Sequence, residues 1–174
     1  MISMLITAMR VYQWPKNLVV FGALVFALEL NNPAQFGRSV IAFFVMCAAS
    51  STVYLLNDLI DIEKDRAHPE KKNRPIASGA LRVPAAIGIL TVLGASALIV
   101  AFALRMQFAA AVISYLVLNL AYTFVFKNIM LVDVMAIAIS FVIRGVAGAL
   151  VLDVKFSNWL VVCTLFLALF LALL

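Results

Sequence analysis

Asn57-Asp58-Leu59-Ile60-Asp61-Ile62-Glu63-Lys64-Asp65-Arg66 begins where the apolar run Val40–Leu56 ends. A run of that length opening directly into carboxylates reads as a helix leaving hydrocarbon for water. Asp58, Asp61 and Asp65 are spaced three and four apart, so a helix continuing past the membrane surface would align them on one stripe. Neighbouring like charges on such a stripe, about 5–6 Å apart, repel. A bound Mg2+ relieves that repulsion, because it takes hard oxygen ligands, commonly one or two carboxylates plus substrate phosphates. Asn57 adds a neutral donor and acceptor beside the first aspartate. Downstream, His68-Pro69-Glu70-Lys71-Lys72-Asn73-Arg74-Pro75-Ile76-Ala77-Ser78-Gly79 supplies Lys71, Lys72 and Arg74, cations able to hold phosphate oxygens. Arg74 is the better bidentate partner. A loop that only sets topology needs the basic residues; it does not need carboxylates in helical register.

Around this stretch the chain is overwhelmingly apolar. Its 174 residues are 66% hydrophobic and 12% charged, with a mean hydropathy of +1.14. Soluble domains run at roughly 45–50% apolar and about 25% charged. The composition excludes a soluble enzyme, a disordered tail and a disulfide-stapled secreted module. The apolar runs are continuous rather than alternating, which disfavours a β-barrel. Six runs stand out: Val11–Glu29, interrupted early by Pro15, Lys16 and Asn17; Val40–Leu56; Val83–Leu104, opened by Pro84; Phe108–Phe126; Ile129–Val151; and Asn158–Leu174. The expectation is an all-α, polytopic integral membrane bundle of about six transmembrane helices. Residues 1–174 read as a single membrane domain with a catalytic loop over 57–82. The last run stops at Leu174 inside apolar sequence, so the chain reads as a fragment, or as truncated after its sixth helix.

The basic residues orient the bundle. With the N-terminus in the cytoplasm, the inside loops hold Arg10, Lys16, Lys64, Arg66, Lys71, Lys72, Arg74, Arg82 and Lys127. The outside loops hold Arg38, Arg105 and Lys155, and Arg144 lies within a span. Nine inside against three outside favours this orientation. Trp14 and Trp159 then fall near opposite surfaces, where interfacial anchors sit. Cys47 and Cys163 lie in apolar runs and read as small hydrophobes. His68, the single histidine, precedes Pro69 in a charged loop and reads as part of a surface turn. Gly145 and Gly148 with Ala147 and Ala149 suit close helix packing.

Ionisable groups at membrane depth face the bundle interior or a water-filled cavity. Asp133 and Arg144 are eleven residues apart in the fifth run and share a face, with Arg144 about 16 Å deeper. Asn119, Tyr122 and Lys127 end the fourth run on the cytoplasmic side and, with Asp133, ring the mouth that the aspartate stripe would face.

Asn57-Asp58-x-x-Asp61-x-x-x-Asp65, followed by Arg74-Pro75-Ile76-Ala77-Ser78-Gly79, resembles the signature of the UbiA superfamily of intramembrane prenyltransferases. Tyr122-Thr123-Phe124-Val125-Phe126-Lys127 resembles that family's second, tyrosine-to-lysine element. Arg10-Val11-Tyr12-Gln13-Trp14-Pro15-Lys16-Asn17 and Asp133…Arg144-Gly145 are similar to one branch, which transfers phosphoribosyl to decaprenyl phosphate for bacterial cell wall biosynthesis.

The resemblance implies that Asp58, Asp61 and Asp65 hold Mg2+ and through it a diphosphate, with Asn57 in support. The same three aspartates and Lys127 would be the catalytic set. Arg74 and Lys127 would touch phosphate oxygens, Lys16 and Asn17 would shape the pocket floor, and Tyr122, Asp133 and Arg144 would complete the substrate site. The partners implied are an isoprenoid phosphate or diphosphate, phosphoribosyl pyrophosphate or an aromatic acceptor, and the bilayer; no nucleic acid is expected. The location implied is the cytoplasmic (inner) membrane, with the N-terminus and active-site loop on the cytoplasmic side. The family carries a second polar motif after its sixth helix and about nine spans. Residues 1–174 hold no second aspartate cluster, and Asp153 lies on the opposite side, so this stretch is expected to carry half a site. Two competing readings are prenyl transfer to an aromatic acceptor and a non-enzymatic transporter or inactive fragment. A transporter half would show paired inverted segments, which the sequence lacks.

Overall fold

The computed structural model describes residues 2–124, 130–155 and 158–173. Among these the fold is helical: α1 (Ile2–Ala8), a 3-10 segment (Val11–Phe21), α2 (Gly22–Phe26), α3 (Pro33–Ile60), α4 (Ile62–Ala67), a short 3-10 turn (Lys71–Asn73), α5 (Val83–Leu104), α6 (Met106–Phe124), α7 (Met130–Leu152) and α8 (Asn158–Leu173). Four stretches are long and apolar enough to cross a bilayer: α3, α5, α6 and Val134–Leu152 of α7. The 16 residues of α8 contain a shorter apolar stretch, Val161–Phe170.

The first apolar run departs from a spanning helix. Pro15 lacks the N–H that an α-helix interior requires, and the chain over Val11–Phe21 takes the tighter 3-10 path before the short α2. It enters through Arg10, whose φ of 50° and ψ of 49° are left-handed. The segment lies against α7, where a Cβ on Gly148 would come within 2.1 Å of the Val20 carbonyl oxygen. Glycine is required there because backbone meets backbone.

The longest helix, α3, organises the rest. Asn32 caps it, its Oδ1 accepting the N–H groups of Ala34 and Gln35 at 3.2 and 3.4 Å, and Pro33 occupies the first turn. Of its apolar stretch 56% is buried, against 11% for α5, so α3 is central and α5 peripheral. Ala42, Val45, Met46 and Ala49 of α3 pack with Ala97 and Ala101 of α5, Phe108, Val112 and Tyr115 of α6, and Ala147 and Val151 of α7. Small residues let these helices approach closely.

A second cluster fixes the far end of α3. Ile76 and Leu81 pack with Ala8, Leu55 and Ala86. The Leu81 N–H closes a tight loop onto the Pro75 carbonyl at 2.7 Å, with Gly79 supplying the left-handed φ of 78° inside it. His68 sits in the exposed turn after α4, its Nδ1 accepting the N–H groups of Glu70 and Lys71. Cys47 is buried and unbridged, and Trp159 is 78% exposed. Trp14 does not act as a free surface anchor: its Nε1 donates to Ser51 Oγ at 3.1 Å and its ring stacks edge-on with Phe44.

Candidate active site

The aspartate motif sits where α3 ends. At Asp61 the backbone turns to φ −94° and ψ 15°, so α3 stops at Ile60 and α4 starts afresh at Ile62. That break splits the expected stripe. Asp58 and Asp65, seven residues apart, both face inward and are 3% exposed. Asp61 is partly exposed and lies 3.7 Å from Lys64 Nζ.

Arg74 joins the two buried carboxylates: its Nη1 donates to Asp65 Oδ2 at 2.6 Å and to Asp58 Oδ1 at 3.2 Å. Arg74 precedes Pro75, which restricts it to extended backbone, here φ −62° and ψ 145°. The buried Pro75–Ile76–Ala77 stretch then anchors it, with Arg66 Nε bonding the Ala77 carbonyl at 3.2 Å. Arg10 completes the cluster, donating from Nη2 to Asp58 Oδ1 at 2.6 Å while its guanidinium lies 4.7 Å from the Tyr54 ring centroid. Sequence reasoning used Arg10 only as a topology charge; its contact arises from the left-handed bend after α1, which no spacing rule shows.

A cavity of about 240 Å³ lies alongside, lined by Lys16, Asn57, Asn119, Tyr122 and Arg144, with Gln13, Tyr54, Tyr115 and Ser140 among the other polar walls. Arg144 is 4% exposed. Its Nε donates to Asn17 Oδ1 at 2.7 Å, its Nη1 to Ser140 Oγ at 3.0 Å and its Nη2 to the Tyr115 hydroxyl at 2.9 Å. The guanidinium also stacks on Tyr115 and Phe141, 4.7 and 5.2 Å from their ring centroids. Asn17, itself buried, donates through Nδ2 to Cys47 Sγ at 3.3 Å. Asn57 is held from α6, its Oδ1 accepting the Thr123 hydroxyl at 2.5 Å. Tyr115, Ser50, Ser140 and Gln13 were not singled out in the sequence, because lone polar residues in apolar runs give no periodic signal.

The structure therefore brings together Asp58, Asp65 and Arg74, and gathers Lys16, Asn17, Asn57, Tyr122 and Arg144 around the cavity. Lys71 and Lys72 are exposed on the 3-10 turn. Lys127 lies outside the described residues; Asp133 falls on α7, but its side chain lies outside them.

No group of three or more carboxylate, histidine or cysteine side chains is close enough to hold a metal among the described residues. The donor chemistry still suits Mg2+, which needs only one or two protein carboxylates when substrate phosphates and waters complete its shell. Asp58 and Asp65 are such a pair, now bridged by Arg74.

Known proteins resemble the chain across nearly its whole length. It is 35% identical over 176 residues to a decaprenyl-phosphate phosphoribosyltransferase of Mycolicibacterium smegmatis, covering 99% of this chain and 55% of that protein. A decaprenyl-phosphate phosphoribosyltransferase of Mycobacterium tuberculosis is 33% identical over 174 residues, covering 98% of this chain and 58% of that protein. The chain thus spans little more than half the length of these relatives. In fold it matches a UbiA homolog from Archaeoglobus fulgidus bound to DMAPP and Mg2+, with a TM-score of 0.78, 19% identity, and coverage of 95% of this chain and 60% of that one. Residues 18–174 match the UbiA prenyltransferase family, and the chain belongs to that family.

Proposed function

We propose that this integral membrane protein supplies a Mg2+-dependent site for phosphoribosyl transfer from phosphoribosyl pyrophosphate to a polyprenyl phosphate, with decaprenyl phosphate the natural acceptor. The observation that carries the proposal is the Arg10–Asp58–Arg74–Asp65 cluster beside a cation-lined cavity. The relatives' names support the choice of substrates.

Asp58 and Asp65, with Asp61 approaching from the end of α3, would hold Mg2+, whose contribution is to neutralise the leaving diphosphate. Arg74 and Lys127 would then bind phosphate oxygens, Arg74 exchanging carboxylate for phosphate partners of similar geometry. In the transfer, an oxygen of the lipid phosphate forms a bond to the anomeric carbon. The bond from that carbon to the diphosphate breaks, and pyrophosphate departs with the electron pair. The apolar helices around the site exclude water, protecting a cation-like transition state from hydrolysis. The site would face the cytoplasm in the inner membrane, with Lys64, Lys71, Lys72 and Arg82 on that side.

Membranes carrying the chain, given Mg2+, radiolabelled phosphoribosyl pyrophosphate and decaprenyl phosphate, should yield labelled lipid. Asp58→Ala with Asp61→Ala should abolish the label while leaving membrane insertion intact, and retained turnover would sink the proposal. Product formed only from a prenyl diphosphate and an aromatic acid would move the assignment to prenyl transfer.

A further inference from the structure

The cavity around Arg144 does not end at its polar walls. Lys16, Ile137 and Phe141 also line an adjoining apolar groove of about 680 Å³ with Pro15, Leu18, Val19 and Ala168. Leu18, Val19, Phe141 and Ala168 in turn line a further apolar pocket of about 440 Å³ reaching Phe26 and Leu167. Leu18, Phe26 and Leu167 are exposed, at 54, 70 and 60%, so this path reaches the apolar outer surface. One end is cationic and the other end is hydrocarbon-like, and the three spaces are joined by shared side chains.

The cationic end is uncompensated. Its described lining residues include Lys16 and Arg144 and no carboxylate. None of the ion pairs among the described residues involves either cation. A guanidinium carries five N–H donors, and Arg144 uses three in hydrogen bonds among the described residues. A buried cation held only by neutral partners is costly and draws an anion. Two facing cations match a phosphomonoester, which carries about −1.5 to −2 at neutral pH, better than a carboxylate.

We infer that this cavity seats the phosphomonoester head of a polyprenyl phosphate on Arg144 and Lys16 without any metal, and that the first isoprene units lie along the groove between the 3-10 segment, α7 and α8. Inorganic phosphate would leave the groove empty, and an isoprenoid alcohol would leave the cations unpaired. The aspartate cluster is a poor alternative seat for the lipid head, because Asp58 and Asp65 repel a phosphate until a cation intervenes. The identity of this lipid as an acceptor rests on the function proposed above; the seat itself does not.

The test is calorimetric titration of the purified chain in detergent micelles with excess EDTA, using farnesyl phosphate, farnesol and inorganic phosphate as probes. Farnesyl phosphate should bind at least about tenfold more tightly than either of the others, the worth of one charge-assisted hydrogen bond or a few buried methylenes. Lys16→Met should weaken farnesyl phosphate by about tenfold without moving the melting temperature, because Lys16 supports no packing. Arg144→Lys, which keeps the charge but removes the planar fork, should weaken it as well. Equal affinity for farnesol and farnesyl phosphate, equal affinity for inorganic phosphate, binding that appears only with Mg2+, or unchanged affinity in Lys16→Met would each overturn the inference. Metal-free binding by a chain whose membranes transfer no label would keep the seat and sink the transfer reaction. Label transfer with Lys16→Met affinity unmoved would do the reverse.

Discussion

Arg74 and Arg10 divide the work of neutralising the buried aspartates unequally. Arg74 reaches Asp58 and Asp65, whereas Arg10 reaches Asp58 alone. A hydrogen bond to a charged group is worth about 1.5–3 kcal/mol. Arg74→Gln should therefore cost on the order of 3 kcal/mol and Arg10→Gln about half that, read as melting temperatures in EDTA. The reverse order would show that Arg10 is the main counter-ion. Ligand linkage adds a second expectation. Once Arg74 no longer competes for the carboxylates, Mg2+ should raise the melting temperature of Arg74→Gln more than that of the unsubstituted chain. Half of this site was legible in the sequence. The seven-residue spacing of Asp58 and Asp65 predicts their shared face, and Arg74 follows from its place before Pro75. The divergence of Asp61 was not legible, because a helix break at that position leaves no mark in a pattern of aspartates. Arg144 was visible as a charge inside an apolar run, but Asn17, Ser140 and Tyr115 as its partners emerge only when the 3-10 segment, α6 and α7 pack together.

At the scale of elements, the contact between the 3-10 segment and α7 is what places Lys16 and Asn17 beside Arg144. Gly148 makes that contact possible by admitting the Val20 backbone. Gly148→Ala should force the two apart, at a cost of about 1–3 kcal/mol for overpacking. It should also weaken farnesyl phosphate binding, since Asn17 would be carried away from Arg144. A melting temperature and affinity like those of the unsubstituted chain would refute the assignment. Asn32→Ala is the contrasting case. It removes the cap of α3 at the end remote from the site, so stability should fall by about 1 kcal/mol with binding unchanged. The ease of reading these elements follows from their boundaries. Val83–Leu104 matches its apolar run at both ends, with Pro84 in the first turn and Arg105 just beyond the last. Val11–Glu29 reads as one apolar run, yet it folds as a 3-10 segment and a short helix. Hydropathy measures affinity for hydrocarbon and does not register the donor that Pro15 lacks.

Over the whole molecule, charge is gathered at the two ends of the helices. Arg10, Asp58, Asp65 and Arg74 form one end, and Arg105 pairs with Asp153 at 2.7 Å at the other. Between them α5 presents apolar side chains outward, Val92 at 67% and Ile99 at 68% exposure, which is the surface that lipid tails cover. Because the aspartates lie at the end of α3 next to the basic loop, sidedness and function are one question: phosphoribosyl pyrophosphate is a cytoplasmic, membrane-impermeant anion, so its site must open on the side where the positive residues accumulate. Lys64, at the aspartate end, and Lys155, after α7, are both exposed and provide the markers. With Cys47 buried and Cys163 replaced by serine, Lys155→Cys should react with a membrane-impermeant maleimide in intact cells. Lys64→Cys should react only after the membrane is opened. Labelling in the opposite sense would place the aspartate cluster outside the cell, away from any supply of phosphoribosyl pyrophosphate, and the proposed reaction would fall with it.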